Sequence, residues 1–256
     1  MSTFSVLAAK ESQEIIRTWR VWVLPAIVMF FAVIGPPLAK ITPELLGSLT
    51  ANTPGSLGLP EATFGDAYGQ WIKNLSQIVL FAIIIIYGGV VSTEIREGTA
   101  GFILTKPVSR TTFVSAKAAV HAGFITVVFA LGTFTTWVST QVTFAVAPSA
   151  QLWGAAFLLL LYGILAFAYT FAFSVLIPAP AGASGAGLGI YVLLAVGAAW
   201  DPLATYGPAG VPAIAAAVAT GQEHVSPAWP AVTTLLAAAA AIGAAVLIFD
   251  RKELRP

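Results

Sequence analysis

The chain has 256 residues, of which 58% are hydrophobic and 9% charged, with a formal net charge of +1 and no cysteine. Soluble domains carry about a quarter charged residues, so this composition belongs to a protein that lives in a bilayer. Without cysteine there is no disulfide framework, haem attachment or thiolate metal site, and the near-neutral charge gives no reason to expect nucleic acid.

Residues 1–20 place Phe4, Leu7, Ile15, Ile16 and Trp19 at roughly helical spacing among Lys10, Glu11, Glu14, Arg17 and Arg20. That pattern predicts an amphipathic helix in the membrane interface, with Trp19 and Trp22 at headgroup depth. Crossing a bilayer as a helix takes about 20 apolar residues. Six stretches qualify, at 21–39, 75–93, 118–140, 152–177, 184–200 and 228–249, and none alternates like a barrel strand. The first is too long for a signal-peptide core and has no small-residue cleavage site before Pro36-Pro37.

Between the first two stretches, residues 40–70 are rich in Gly, Pro, Ser and Thr and read as irregular structure. Pro178-Ala179-Pro180-Ala181-Gly182 reads as a break between spans. Before the last span, residues 211–219 form a short apolar run with Pro or Gly on both sides, which predicts a re-entrant or interfacial helix too short to cross. The expected fold is an all-α integral membrane protein, a single domain over 1–256 with six transmembrane helices.

Basic residues set the expected orientation. With both termini inside, the inner segments hold ten (Lys10, Arg17, Arg20, Arg96, Lys106, Arg110, Lys117, Arg251, Lys252, Arg255) and the outer ones two, Lys40 and Lys73. This places the chain in the cytoplasmic membrane with cytoplasmic termini.

The densest charge lies between spans two and three, whereas residues 118–200 contain no Asp, Glu, Lys or Arg. Gly98-Thr99 breaks the second span, a short apolar turn runs from Ala100 to Leu104, and Lys106-Pro107 ends it. Phe102, Ile103 and Leu104 are apolar residues beside water, suited to the membrane surface or to a partner's groove. On charge alone, Arg96, Arg110 and Lys117 read equally well as topology anchors.

The run Glu94-x-x-Glu97-Gly98-Thr99, then Leu104-Thr105-Lys106-Pro107-Val108-Ser109-Arg110 and Lys117, resembles the signature loop of ABC type-2 permeases, the membrane subunits of exporter-like ATP-binding cassette transporters. The resemblance implies a cytoplasmic coupling helix within 94–113 that docks on a separate ATPase subunit. Its residues would be Glu94, Arg96, Glu97, Gly98, Thr99, Phe102, Ile103, Leu104, Lys106, Pro107 and Arg110. It further implies a second permease copy or paralogue, alternating access, ATP and Mg bound by the partner rather than by this chain, and export of an amphipathic, lipid-like, drug or peptide cargo. A permease whose cassette does mechanical or regulatory work is the variant reading. None of the six lysines follows a glycine, so no Walker A phosphate loop is present, and the chain is not expected to be an enzyme.

A different class is suggested by Gly182-Ala183-Ser184-Gly185-Ala186, which resembles the Gly-x-Ser-Gly motif of rhomboid intramembrane proteases. A serine nucleophile needs a histidine within reach. The two histidines are His121 and His224, and a span of roughly 17 residues, about 25 Å, separates Ser184 from the outer loop holding His224. Small residues at 181–189 are better explained by close helix packing. The polar groups His121, Tyr162, Tyr169, Thr170, Ser174 and Tyr191 either line a path or bond backbone within the bundle, with the second expected more often. Trp71, Trp137, Trp153, Trp200 and Trp229 fall near span ends and read as an aromatic belt.

Overall fold

The computed structural model describes residues 3–50, 60–105, 108–223 and 225–252, and every regular element among them is helical. In chain order these are α1 (Thr3–Arg17), α2 (Arg20–Thr50), α3 (Phe64–Asn74), a π-helical turn (Leu75–Val79), α4 (Leu80–Tyr87), α5 (Ser92–Arg96), α6 (Thr99–Leu104) and α7 (Arg110–Phe144). There follow α8 (Ser149–Leu176), α9 (Pro180–Gly197), α10 (Asp201–Tyr206), a 3-10 turn (Pro208–Gly210), α11 (Val211–Thr220) and α12 (Ala228–Arg251). Among the described residues, six helical stretches are long and apolar enough to cross a membrane: α2, the run α3 to α5, and α7, α8, α9 and α12.

α8 is the central post. It packs against α12, α11, α9, α7 and α4, and 67% of its most apolar window is buried, against 11% for α9 and 22% for α12. α9 and α12 therefore expose most of their apolar surface outward. Aromatic side chains fill the space around the post: Tyr87 meets Phe167 edge-on at 4.9 Å, and Phe113 stacks on Phe249 at 5.5 Å.

Helices in lipid gain little from burying apolar surface, so close backbone approach at small residues does the joining. A Cβ on Gly88 would sit 2.8 Å from the Ser184 backbone nitrogen and 2.9 Å from the Pro180 carbonyl oxygen; one on Gly187 would sit 2.7 Å from Thr170 Oγ1. Gly88→Ala is therefore expected to push α4 and α9 apart and to cost about 1–3 kcal/mol. Gly189→Ala, with nothing within 4 Å of the new carbon, should be neutral or gain up to about 1 kcal/mol of helix propensity. Thermal melting of both variants in lipid nanodiscs checks the contrast.

Three expectations need correction. Residues 40–70 are not wholly irregular: α2 runs to Thr50 through Pro25, Pro36, Pro37 and Pro43, α3 begins at Phe64, and 51–59 lie outside the described residues. Away from water a freed carbonyl has nothing else to bond, so proline bends a membrane helix more readily than it ends one. The α3 start carries a signal that composition hides, since the Thr63 N–H donates to the Asp66 carboxylate at 2.7 Å, half of a capping box. Trp71 is 1% exposed and lies under Gly132, whose added Cβ would come within 3.0 Å of its ring; it is core rather than belt. Finally, the second span is not one regular helix. The chain turns between α4 and α5, and there Ser174 Oγ accepts from the backbone N–H groups of Val91 (2.9 Å) and Ser92 (3.1 Å).

Cations cap helix C-termini throughout the bundle, where unpaired carbonyls and the helix dipole favour positive charge. Lys40 Nζ donates to the Thr143 carbonyl at the end of α7 (2.7 Å). Lys252 Nζ donates to the Val175 carbonyl at the end of α8.

Candidate functional site

The segment from α5 to α6 forms a bent elbow at the end of the bundle that also carries α1. α5 stops at Arg96, and Gly98 takes φ 74°, ψ −4° as the residue before α6. That left-handed conformation is readily open only to glycine. Thr99 Oγ1 donates back to the Glu94 carbonyl at 3.1 Å and holds the two short helices together. Ala100 is fully buried, and Ile95 and Ile103 pack on the core. Arg96, Glu97, Gly98 and Thr99 are exposed, and Phe102 is 73% exposed. One side of the elbow is thus clamped to the bundle, and the other presents a phenyl ring among charges of both signs.

Glu94 points the other way. It lies 9% exposed in a network of ion pairs joining the elbow to α1 and α7. Lys10 Nζ contacts Glu94 Oε1 at 3.0 Å, Glu11 Oε1 at 2.9 Å and Glu14 Oε2 at 2.8 Å. Lys117 Nζ contacts Glu11 Oε2 at 2.6 Å and Glu94 Oε2 at 3.2 Å. Arg20 Nη1 lies 3.8 Å from Glu14 Oε1. Three carboxylates therefore face three cations. The Lys117 side chain is 0% exposed and that of Glu11 2%, a burial that isolated charges cannot tolerate and that mutual pairing offsets. The carboxylates of Glu11, Glu14 and Glu94 come close enough for a cation, and the two ammonium groups already fill that role.

α1 is held by both ends of its chemistry. Leu7, Glu11 and Ile15 are its buried residues, spaced four apart on one stripe, with the glutamate between the two aliphatic anchors. Burial works against the Lys10 ammonium, but its bond to Glu14 and the charges of Glu94 and Glu11 outweigh this and hold its pKa above the ordinary 10.5. Burial likewise works against the Glu14 carboxylate, while Lys117, Lys10 and Arg20 hold its pKa below the ordinary 4.5. A raised lysine contributes fully below 10.5 and loses its contribution as pH climbs through the raised value. A lowered glutamate contributes fully above 4.5 and loses its contribution as pH falls through the lowered value. α1 should therefore dock most firmly between about pH 4.5 and 10.5. Amide exchange over residues 3–17 in nanodiscs should show protection falling away on both sides of that window.

Arg110 belongs to neither face of the elbow. Its Nη1 donates to the carbonyls of Asp250 (3.0 Å) and Lys252 (2.6 Å), capping α12. Of the eleven residues assigned to coupling, Glu94 and Arg110 thus bind internally, while Arg96, Glu97, Gly98, Thr99 and Phe102 face outward and Ile103 is half-buried. Lys106 and Pro107 lie outside the described residues, as does the side chain of Leu104. Lys10 and Glu11 were absent from the sequence-derived set, and the sequence holds no local signal pairing them with residues about a hundred positions away.

A family profile described as ABC-2 family transporter protein matches residues 5–254. The chain belongs to the ABC-2 transporter family. No curated protein matches it. This ABC-2 chain is therefore a multi-pass membrane permease component, not itself an ATPase. ABC-2 permeases generally pair with an ATPase subunit.

The family assignment leaves no place for the protease alternative, and the local geometry agrees. Ser184 Oγ donates to the carbonyls of Ile84 (3.3 Å) and Ile85 (3.4 Å) across the α4–α9 contact. His121 packs edge-on against Tyr87 at 5.2 Å, and its Nε2 lies 3.9 Å from Glu11 Oε2. Ser184 Oγ is thus engaged by α4 carbonyls, and no hydrogen bond joins it to His121 among the described residues.

Proposed function

We propose that this permease moves an amphipathic cargo outward, driven by a separate ATPase that seats on the elbow at residues 94–105 from the cytoplasmic side. The observation that carries the reading is Phe102, 73% exposed on a helix whose neighbour Glu94 is tied into a buried ion network. An exposed aromatic ring on a rigid mount is the kind of residue that anchors protein interfaces. The mount passes force inward, because any push on the elbow pulls on α1 through Lys10 and on α7 through Lys117. The ten-to-two distribution of basic residues favours this end of the bundle as cytoplasmic.

ATP and Mg belong to the partner, since no Gly-Lys-Ser/Thr sequence is present here. The poorly buried α9 and α12 leave surface for a second copy or paralogue across a shared pathway. Cytoplasmic orientation, export and pairing follow the family resemblance and the charge pattern together.

Affinity purification from membranes tests the reading against its rival. A cassette ATPase retained by the wild-type chain and lost with Phe102→Asp supports it. Cleavage of a membrane peptide that disappears in Ser184→Ala would overturn it.

A further inference from the structure

The second span is wound as a π helix over Leu75–Val79. Such turns are rare, widen the helix by a residue and frequently mark functional sites. Here the turn opens onto a cavity of about 190 Å³, bounded by Ser76 and Gln77, by Tyr162 on α8, by Tyr191 and Ala195 on α9, and by Ala213 on α11. Tyr191 donates its hydroxyl to the Ser76 carbonyl at 3.1 Å, and Ser76 Oγ donates to the Lys73 carbonyl at 3.1 Å. Both oxygens keep lone pairs for another donor.

Two further groups make no hydrogen bond to any described residue. Tyr162 is 3% exposed, and its hydroxyl belongs to the cavity wall. Gln77 is exposed at the rim, so its amide stands at the bundle surface inside an apolar span, where an unpaired polar group is costly. Replacing either by an isosteric apolar residue would relieve that cost in the empty protein, so neither is needed for packing. Together they offer a set of neutral donors and acceptors. Among the described residues no Asp, Glu, Lys or Arg lines the space; Lys73 lies one turn earlier and is not part of the wall.

We propose that this cavity binds the uncharged, hydroxyl- or amide-bearing head of an amphiphile, leaving its apolar tail in the bilayer. A charged head would shed its water here and find no counter-ion. The volume decides how much of the molecule enters: a cavity of about 150 Å³ holds a benzene ring, so this one accepts a glycerol- or ring-sized head and not a chain. The tail has a track beside it, because Val192, Leu193 and Val196 on α9 are 53%, 66% and 67% exposed. The site deepens the transport reading by naming the cargo class and rests on that reading only for calling the ligand a cargo.

Binding is tested on the permease alone, in phosphatidylcholine nanodiscs, with a diazirine-bearing monoacylglycerol as the photoprobe. Adducts are expected in the peptides holding residues 76–77 and 191–198. Gln77→Leu and Tyr162→Phe should each lower labelling about five- to tenfold, the worth of one hydrogen bond, with unchanged or higher melting temperatures. Ala195→Phe, which fills the cavity, should abolish it. Unlabelled monoacylglycerol should compete, while the matching fatty acid and alkylamine should not. Adducts elsewhere, labelling undiminished in Gln77→Leu and Tyr162→Phe, labelling that survives Ala195→Phe, or equal competition by the fatty acid would each overturn the proposal. No ATPase is present in this experiment, so its failure leaves docking at the elbow untouched.

Discussion

Lys117→Met is expected to destabilise the protein by about 3–5 kcal/mol, the cost of removing one partner from a buried ion pair. Lys117 is wholly buried between Glu11 and Glu94. Without it, three carboxylates face only Lys10 and Arg20 across contacts of 2.8–3.8 Å, and the surplus negative charge falls on Glu11 and Glu94, 2% and 11% exposed. In a chain of this size that loss lowers the melting temperature by roughly 6–20 °C. Residues 3–17 should also lose amide protection, since α1 is seated through Glu11. The second substitution Glu11→Gln restores the charge balance and should recover more than half of the loss, because the damage lies in the unpaired carboxylate and not in the missing contact. Differential scanning fluorimetry in nanodiscs reads both numbers. Equal melting of wild type and Lys117→Met would mean that the pairs contribute nothing.

Glu97→Arg and Gly98→Pro are expected to leave the protein inserted while abolishing stimulation of the partner ATPase. Glu97 is exposed, so reversing its charge acts on the partner and not on the fold. Gly98 holds φ 74°, and proline requires about −65°, so the substitution swings α6 away from its seat. Phe102→Asp tests the apolar part of the same surface. Losing an aromatic anchor of about 2 kcal/mol or more weakens docking roughly 30-fold. Vanadate-sensitive hydrolysis by the reconstituted complex measures all three. Undiminished stimulation by Glu97→Arg and Gly98→Pro together would contradict the role given to the elbow.

How much of this was readable in the sequence depended on whether the signal was local. Six long apolar stretches announce six long apolar helices, because bilayer thickness fixes the length. The run around residues 211–219 announced α11 (Val211–Thr220), and its flanking Pro and Gly marked the ends. Gly98 was visible as a break because glycine makes a left-handed turn without the steric cost that other residues bear.

The ion network was not visible. Lys117 stands at the edge of an apolar run, where a lysine ordinarily anchors a span at the headgroups, and Glu11 looked like part of the polar side of α1. Their contact spans 106 positions, and nothing within either segment encodes it. Glu11 does share a four-residue spacing with Leu7 and Ile15, the one hint that it faces inward. Arg110 was similarly misleading: a basic residue beside a charged loop invites a docking role, yet its partners are the last carbonyls of α12. The π turn at 75–79 was hidden because apolar periodicity does not distinguish it from the α helix around it.

The polar residues inside the spans divided as their neighbours required. Ser174 and Tyr191 bond backbone, but Thr170 Oγ1 and both His121 ring nitrogens have no hydrogen-bond partner among the described residues, so backbone bonding is less common here than expected. Tyr162 does not bond backbone either, although it faces the same cavity as Tyr191.

The absence of native cysteine makes one measurement decisive for the elbow. Thr105→Cys, exposed on the same surface with the Phe102 anchor kept, should react with a membrane-impermeant maleimide in inverted vesicles and not in intact cells, and the bound ATPase subunit should protect it. Reaction from the outside, or an unchanged rate with the ATPase bound, would contradict the claim that this surface receives the driving subunit.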